Sequence, residues 1–176
     1  MNRLYRQDRL EWTLDREADV SSDTHEALAG LLARAYPTYA GIFGGRRSWT
    51  WARPEARMVG TADARPVAHL ALLRQFAQTS ESGESLLVGE VGLVAVDPDF
   101  QGRGIGRKLL AQTATEMAGL AMSFGFLTCS PAVVPFYESA GWHQLPYAPV
   151  VAGDTYTMIL PLHAPLSTWP RPLQAT

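Results

Sequence analysis

The chain has 176 residues, of which 47% are hydrophobic and 18% charged, a balance that suits one domain with a sizeable core and excludes a disordered polymer. Its formal net charge of -2 lacks the basic surplus of a dedicated nucleic-acid binder, and no apolar run approaches the ~20 residues of a membrane helix, so neither nucleic acid nor membrane is an expected partner. The single cysteine, Cys129, excludes an internal disulfide, the four histidines show no metal-ligand spacing, and the charged start "MNRLYRQDRLEWTLDRE" is no signal peptide, so a cytoplasmic protein without a metal is expected.

In chain order, "RLEWTL" (Arg9–Leu14) alternates polar and apolar residues as a half-buried strand does. "SSDTHEALAGLLARAY" follows as a helix capped by Ser22 or Asp23, with Ala27, Leu28, Leu31, Leu32 and Ala35 inward and Pro37 at its end. "PTYAGIFGGRRSWTWARPE" is irregular, aromatic and basic, the marks of a functional loop. "ARMVGTAD" and "RPVAHLALLRQFAQ" read as two strands around a turn at Ala62–Pro66, with a second turn at Ser82–Glu84. "SLLVGEVGLVAV" (Ser85–Val96) is a buried central strand in which Gly89 and Gly92 signal a bulge or a close backbone approach. The next helix carries Leu109, Leu110, Thr113, Met117 and Leu120 on one face. "FGFLTCS" is a short strand, "PAVVPFYESAGW" a helix begun by Pro131 and stopped by Gly141, and "DTYTMILPL" (Asp154–Leu162) the last strand before a proline-rich tail at 163–176. Strands first, then strand–helix alternation, predict an α+β (mixed α/β) chain: a mixed sheet with helices on both faces, in one domain spanning 1–176.

The stretch "DPDFQGRGIGRKLL" joins the central strand to its helix. Gly102, Gly104 and Gly106 free the backbone for positive φ and let successive N–H groups converge, and the helix start adds its partial positive charge. That combination suits phosphate or pyrophosphate, with Arg103, Arg107 and Lys108 around it. The spacing is neither a Walker A loop nor a dinucleotide fingerprint.

"VGLVAVDPDFQGRGIGRKLL" resembles motif A of the Gcn5-related N-acetyltransferase (GNAT) superfamily, with Gln101, Gly104 and Gly106 matching its Q/R-x-x-G-x-G/A pattern. "CSPAVVPFYESAGW" resembles motif B of the same superfamily. "GGRRSWTWARPEARMV", "VAHLALLRQF", "LLVGEVGLVAVDPDFQGRGI" and "MILPLHAPLSTWP" together resemble the nodulation protein A (NodA) family, whose members N-acylate the free amine of a chitin-oligosaccharide backbone. "VVAGDTYTMILPL" and "FYESAGWHQLPYAP" are similar to stretches of aminoglycoside 2'-N-acetyltransferases. The resemblance implies a GNAT fold, a mostly antiparallel sheet of about seven strands splayed after the fourth. It implies acetyl-CoA or another acyl-CoA as acyl donor. The pantetheine arm would pair with Leu93, Val94, Ala95 and Val96, beside a bulge near Gly92. The pyrophosphate would sit on Gln101, Gly102, Arg103, Gly104, Ile105 and Gly106, with Arg107 and Lys108 beside it.

Acyl transfer to an amine needs a neutral amine, a hydrogen-bond donor for the thioester oxygen and a proton for the leaving thiolate. Glu90, an ionisable group inside "LLVGEVGLV", is the candidate general base, directly or through a water; its other reading is a surface carboxylate or a partner of Arg74. The N–H of Val91, Leu93 or Val94 is the candidate oxyanion donor. By the resemblance Tyr137 is the candidate general acid, its other reading a core tyrosine. The acceptor is a small-molecule amine, with an aminosugar implied by the relatives. Arg46, Trp49 and Trp51 are its candidate binding residues, in a loop where Arg47, Arg53 and Arg57 add charge. Cys129, His69 and His143 read as structural. Two alternatives stand: a NodA-like long-chain acyltransferase fed by an acyl carrier protein docked near Arg46 and Arg47, and a non-catalytic acyl-CoA-binding module. "QGRGIG" is better formed than the NodA loop, which favours coenzyme A over the carrier. A homodimer paired through edge strands is a further partner that the fold offers.

Overall fold

Seven strands share one sheet in the order β1-β2-β3-β4-β5-β7-β6: β1 (Glu11–Arg16), β2 (Ala56–Ala62), β3 (Arg65–Gln78), β4 (Ser85–Val96), β5 (Phe124–Cys129), β6 (His143–Gln144) and β7 (Tyr156–Pro161). The computed structural model describes residues 10–50, 52–78, 85–145 and 155–169; Trp51, Asp154 and the Ser82–Glu84 turn lie outside the described residues. The pairs β1–β2, β5–β7 and β6–β7 are antiparallel, whereas β4–β5 is parallel over Val88–Glu90. Three α-helices, α1 (Ser22–Ala35), α2 (Ile105–Gly119) and α3 (Val134–Glu138), complete a mixed α+β fold. Among the described residues no helix is long and apolar enough to cross a membrane. The chain divides into two compact units, and β3 and β4 each pass from one to the other: the first ends at Ala71 and resumes over Leu93–Leu109, and the second takes Leu72–Gly92 and the chain from Leu110 onward.

In the first unit, Asp63 (φ 50) and Ala64 (φ 61) form the two-residue connection between β2 and β3. Two consecutive left-handed residues match the twist of the flanking strands. Helix α1 starts one residue earlier than expected, because the Ser21 hydroxyl accepts the Thr24 N–H at 3.1 Å. Its buried face is His25, Leu28, Ala29, Leu31 and Leu32, while Ala27, expected inside, is exposed. Ala29 and Leu32 pack with Phe43 and Ala95, and Tyr36 and Leu93 border that cluster. Each fully buried leucine of α1 contributes roughly 2 kcal/mol, so this helix is fixed against the end of β4 by burial rather than by propensity.

In the second unit, Gly89 of β4 lies opposite Gly125 of β5. A Cβ on Gly89 would come 2.7 Å from the Met117 sulfur, and one on Gly125 would come 2.9 Å from the Met117 methyl. Gly89 therefore answers the close-approach reading rather than the bulge: two facing glycines let α2 settle on the sheet. Met117 and Thr113 are buried as expected, but Leu120 is exposed, because α2 ends at Gly119 and Ala121 turns the chain with φ 59. The segment begun by Pro131 is not one helix but a 3-10 turn (Pro131–Val133) followed by the short α3, ended by Gly141 at φ 85. Val88, Phe124, Leu145 and Ile159 form the core here, and Trp169 from the tail stands edge-on to Phe124 at 5.3 Å.

Candidate active site

The first unit gathers the end of β4, the glycine turn and the loop before β2. Leu93 holds φ 49, a left-handed conformation that a leucine adopts only when its surroundings enforce it. The irregularity expected near Gly92 thus falls on the next residue. The Leu93 carbonyl accepts from Nδ1 of His69 at 3.0 Å, and the next carbonyl, Val94, accepts from the Tyr36 hydroxyl. Burial pushes the Tyr36 phenol up to about 12, so it stays protonated and able to donate.

His69 is wholly buried, in keeping with its structural reading, and its Nε2 lies 3.0 Å from Nη1 of Arg57. Burial first, and the Arg57 charge second, lower its pKa to about 3 against the raising effect of the Leu93 carbonyl. The imidazole is therefore neutral. A guanidinium only donates and a carbonyl only accepts, so Nε2 carries the lone pair and Nδ1 the proton. Arg57 itself is 0% exposed. Its Nε reaches Glu17 Oε2 at 2.6 Å, its Nη2 reaches Glu17 Oε1 at 3.3 Å, and its Nη1 also donates to the Ser48 carbonyl at 3.0 Å. This corrects the sequence expectation for Arg57, which is a buried brace and not part of an exposed basic loop.

The loop sits on that brace. The Ser48 hydroxyl lies 2.9 Å from His25 Nδ1. Burial is the main cause that lowers the His25 pKa, with Glu17 opposing it and Arg57 and Arg53 adding to it. Trp49 meets His25 edge-on at 5.8 Å and carries the Arg53 guanidinium over its ring at 4.4 Å. Arg47 donates to the carbonyls of Trp49 and Thr50, which closes the loop on itself. Arg46 is exposed beside it.

Just past the last residue of β4, Asp97 is 1% exposed. Burial alone would raise its carboxyl, but hydrogen bonds from Arg34, the Asp99 N–H and Arg65 hold it below its ordinary value. The glycine turn follows. Gly102 (φ 72) and Gly104 (φ 74) take the left-handed backbone that the sequence expectation assigned to three glycines; Gly106 instead lies in the first turn of α2. Nothing lies within 4 Å of a Cβ built on Gly102 or Gly104, so conformation, not space, selects glycine there. Gln101 caps the Val96 carbonyl at 3.1 Å, and Arg103 bonds the Asp99 carbonyl at 2.8 Å while covering the Phe100 ring. Arg107 and Lys108 are exposed on α2.

The second unit holds the two proton-transfer candidates. Glu90 is half-buried and accepts from the Gln75 side chain. Tyr137, on α3, is buried with its ring against Phe136 and Trp142. Cys129 is buried, and burial raises its thiol pKa, which suits the packing role assigned to it and not a nucleophile. His143 is exposed on β6. Among the described residues no three His, Cys, Asp or Glu side chains group as metal ligands.

The model of the nodulation protein A (NodA) family matches residues 7–145. This chain belongs to the NodA family. It is 32% identical over 184 residues to nodulation protein A of Sinorhizobium terangae, covering 92% of each chain. Its fold is similar to that of aminoglycoside 6'-acetyltransferase type Ii, with a TM-score of 0.66 at 17% identity over 92% of this chain and 99% of that one. It is similar also to an acyl-CoA N-acyltransferase from Pseudomonas aeruginosa, with a TM-score of 0.64 at 16% identity over 86% and 99%. The fold is thus the GNAT fold. In this NodA-family chain, sequence reasoning missed Glu17, Tyr36 and the joining of Arg57 to His69. The available signal was an arginine and a histidine inside the apolar runs "ARMVGTA" and "PVAHLALL", where a polar group needs a partner.

Proposed function

We propose that this enzyme, an acyltransferase of the NodA family, moves an acetyl or longer acyl group from acyl-CoA to the primary amine of an aminosugar. The observation that carries the donor half is the succession, within one unit, of the Leu93 irregularity, the left-handed glycines at 102 and 104, and a 15-residue helix starting at Ile105. The strand backbone of Leu93–Val96 pairs with the amides of the pantetheine arm, and the N–H groups of the turn with the helix N-terminus hold the pyrophosphate. Trp49 and Arg46 meet the acceptor, Trp49 offering an aromatic face to a sugar ring. The amine attacks the thioester carbonyl, a C–N bond forms and the C–S bond breaks. Glu90 removes the amine proton and Tyr137 gives one to the departing thiolate, which leaves an amide and free coenzyme A. The whole chain acts as one acyltransferase domain, in the cytoplasm.

The exposed Arg46 and the Arg53–Trp49 stack favour a second reading, in which an acidic acyl carrier protein delivers the acyl group. The deciding experiment measures thermal unfolding and thiol release with acetyl-CoA, longer acyl-CoAs and free coenzyme A, using glucosamine and short de-N-acetylated chitin oligosaccharides as acceptors. Ligand at 100 times its Kd adds roughly 2.7 kcal/mol, a readable shift. Stabilisation with thiol release supports the acyl-CoA reading. No shift, with turnover from acyl carrier protein that Arg46→Glu weakens, replaces it with the carrier reading. Stabilisation without turnover leaves a binding module.

A further inference from the structure

The geometry points to His69, held by Arg57, as the positioning residue that aims the Val94 N–H at the thioester oxygen. This rests on the acyltransferase reading above. A trans peptide unit carries its C=O and the following N–H in opposite directions, and no cis peptide occurs among the described residues. The Leu93 carbonyl is fixed on the imidazole at 3.0 Å, so the Val94 N–H of the same peptide unit points away from His69. The strand pattern agrees. The Asp97 N–H bonds the Val67 carbonyl of β3 at 2.8 Å, and in an antiparallel ladder backbone groups alternate sides. Val94 and Val96 therefore present their N–H and C=O away from β3.

Leu93 holds a left-handed φ, and its carbonyl is met by the His69 imidazole at 3.0 Å. Leucine gains nothing from that conformation by itself, so the hydrogen bond from His69 is a reason it persists. Arg57 completes the device. By donating to Nε2 it commits the imidazole to the tautomer with its proton on Nδ1, the only form that can donate to Leu93. Glu17 and the Ser48 carbonyl in turn hold the guanidinium from its other edges. The chain of contacts runs from Glu17 through Arg57 and His69 to one peptide plane of β4, inside a single unit.

Two substitutions separate positioning from packing. His69→Asn keeps a donor where Nδ1 stands and loses the acceptor for Arg57. His69→Gln keeps an acceptor where Nε2 stands and loses the donor to Leu93. Both remove the ring and are expected to lower the melting temperature comparably. Turnover is expected to split: His69→Asn within about threefold of the parent in kcat, and His69→Gln lower by about 10- to 100-fold, short of the 10²–10³ seen on deleting an oxyanion donor outright. The Kd for ADP, a probe that carries the pyrophosphate without the pantetheine arm, is expected to stay unchanged in both, because the glycine turn is untouched. Equal kcat in the two variants, or a kcat loss that simply follows the melting temperature, overturns the inference. One measurement needs neither activity nor variants. ¹⁵N NMR of the intact protein should show His69 as the neutral tautomer protonated on Nδ1 from pH 5 to 8, with a through-bond coupling to the Leu93 carbonyl carbon. The other tautomer, or a protonated ring, refutes the device even if the enzyme acylates amines. A parent protein with the expected NMR signature but no turnover with any acyl donor sinks the acyltransferase reading, and the aiming role with it.

Discussion

Two buried charges brace opposite ends of the same short piece of β4, and they do so in opposite ways. Before the glycine turn, a carboxylate is buried: Asp97 is shared by Arg34 and Arg65, whose side chains are 46% and 49% exposed. Beneath Leu93, a cation is buried: Arg57 is 0% exposed and its carboxylate partner, Glu17, only 11%. If Asp97 loses its charge, both arginines can turn into water. If Glu17 loses its charge, Arg57 has no route to solvent. The first brace is a clasp at the rim and the second is a core element, although each is drawn as an arginine–carboxylate pair. What distinguishes them is which member can escape.

The sharpest way to test that difference is Glu17→Gln. Leaving a buried guanidinium without its counter-charge is expected to cost about 3–5 kcal/mol in chemical denaturation, and adding Arg57→Met should recover more than half of it. If the single substitution costs under 1 kcal/mol, the brace is not a core element. Acid titration of stability comes next. His69 has a folded pKa of about 3 and an unfolded value near 6.5. The unfolded chain takes the proton first, so stability that is complete above pH 6.5 is lost as pH falls toward 3, at up to about 1.4 kcal/mol per pH unit. His69→Asn should remove that slope, leaving the smaller contribution of His25, whose pKa is lowered too.

Asp97→Asn should cost less, about 1–2 kcal/mol, because Arg34 and Arg65 find water. Its pH signature also lies lower. The folded carboxyl titrates below the unfolded value of about 3.9, so its stabilisation is intact above that pH and disappears as pH falls through the folded pKa. Guanidinium melts of Asp97→Asn and the parent should converge only at the acid end. Smallest is Gly104→Ala. The added methyl meets nothing within 4 Å, so only the left-handed φ of 74° is penalised, at about 1 kcal/mol. The same variant should show a reduced thermal shift with acyl-CoA, whereas Asp97→Asn should keep most of it.

The sequence displayed the elements of the fold because period and punctuation displayed them. Valine-rich alternation marked β4, Pro98 and the glycines marked its exit, and Pro131 and Gly141 bounded the segment that carries Tyr137. The glycine turn was legible for the same reason, since left-handed backbone selects its residue type. The brace under Leu93 was not. Glu17, Ser48, Arg57 and His69 come from four segments, and no local pattern ties a glutamate to an arginine 40 positions away. Leu93 shows the limit from the other side: its φ belongs to glycine, its identity does not, and so no reading of the strand alone would place the irregularity there.

That last feature bears on portability. A conformation that leucine does not choose is imposed from outside, so the irregular end of β4 is not a property that travels with its own residues. A synthetic peptide or a graft spanning 88–97 would relax toward a straight strand, and the following peptide plane would turn with it. To move this irregular strand edge into another scaffold, one would have to carry the histidine, the arginine and the glutamate from three other segments. The unit of inheritance here is a cross-section of the molecule and not a stretch of its chain.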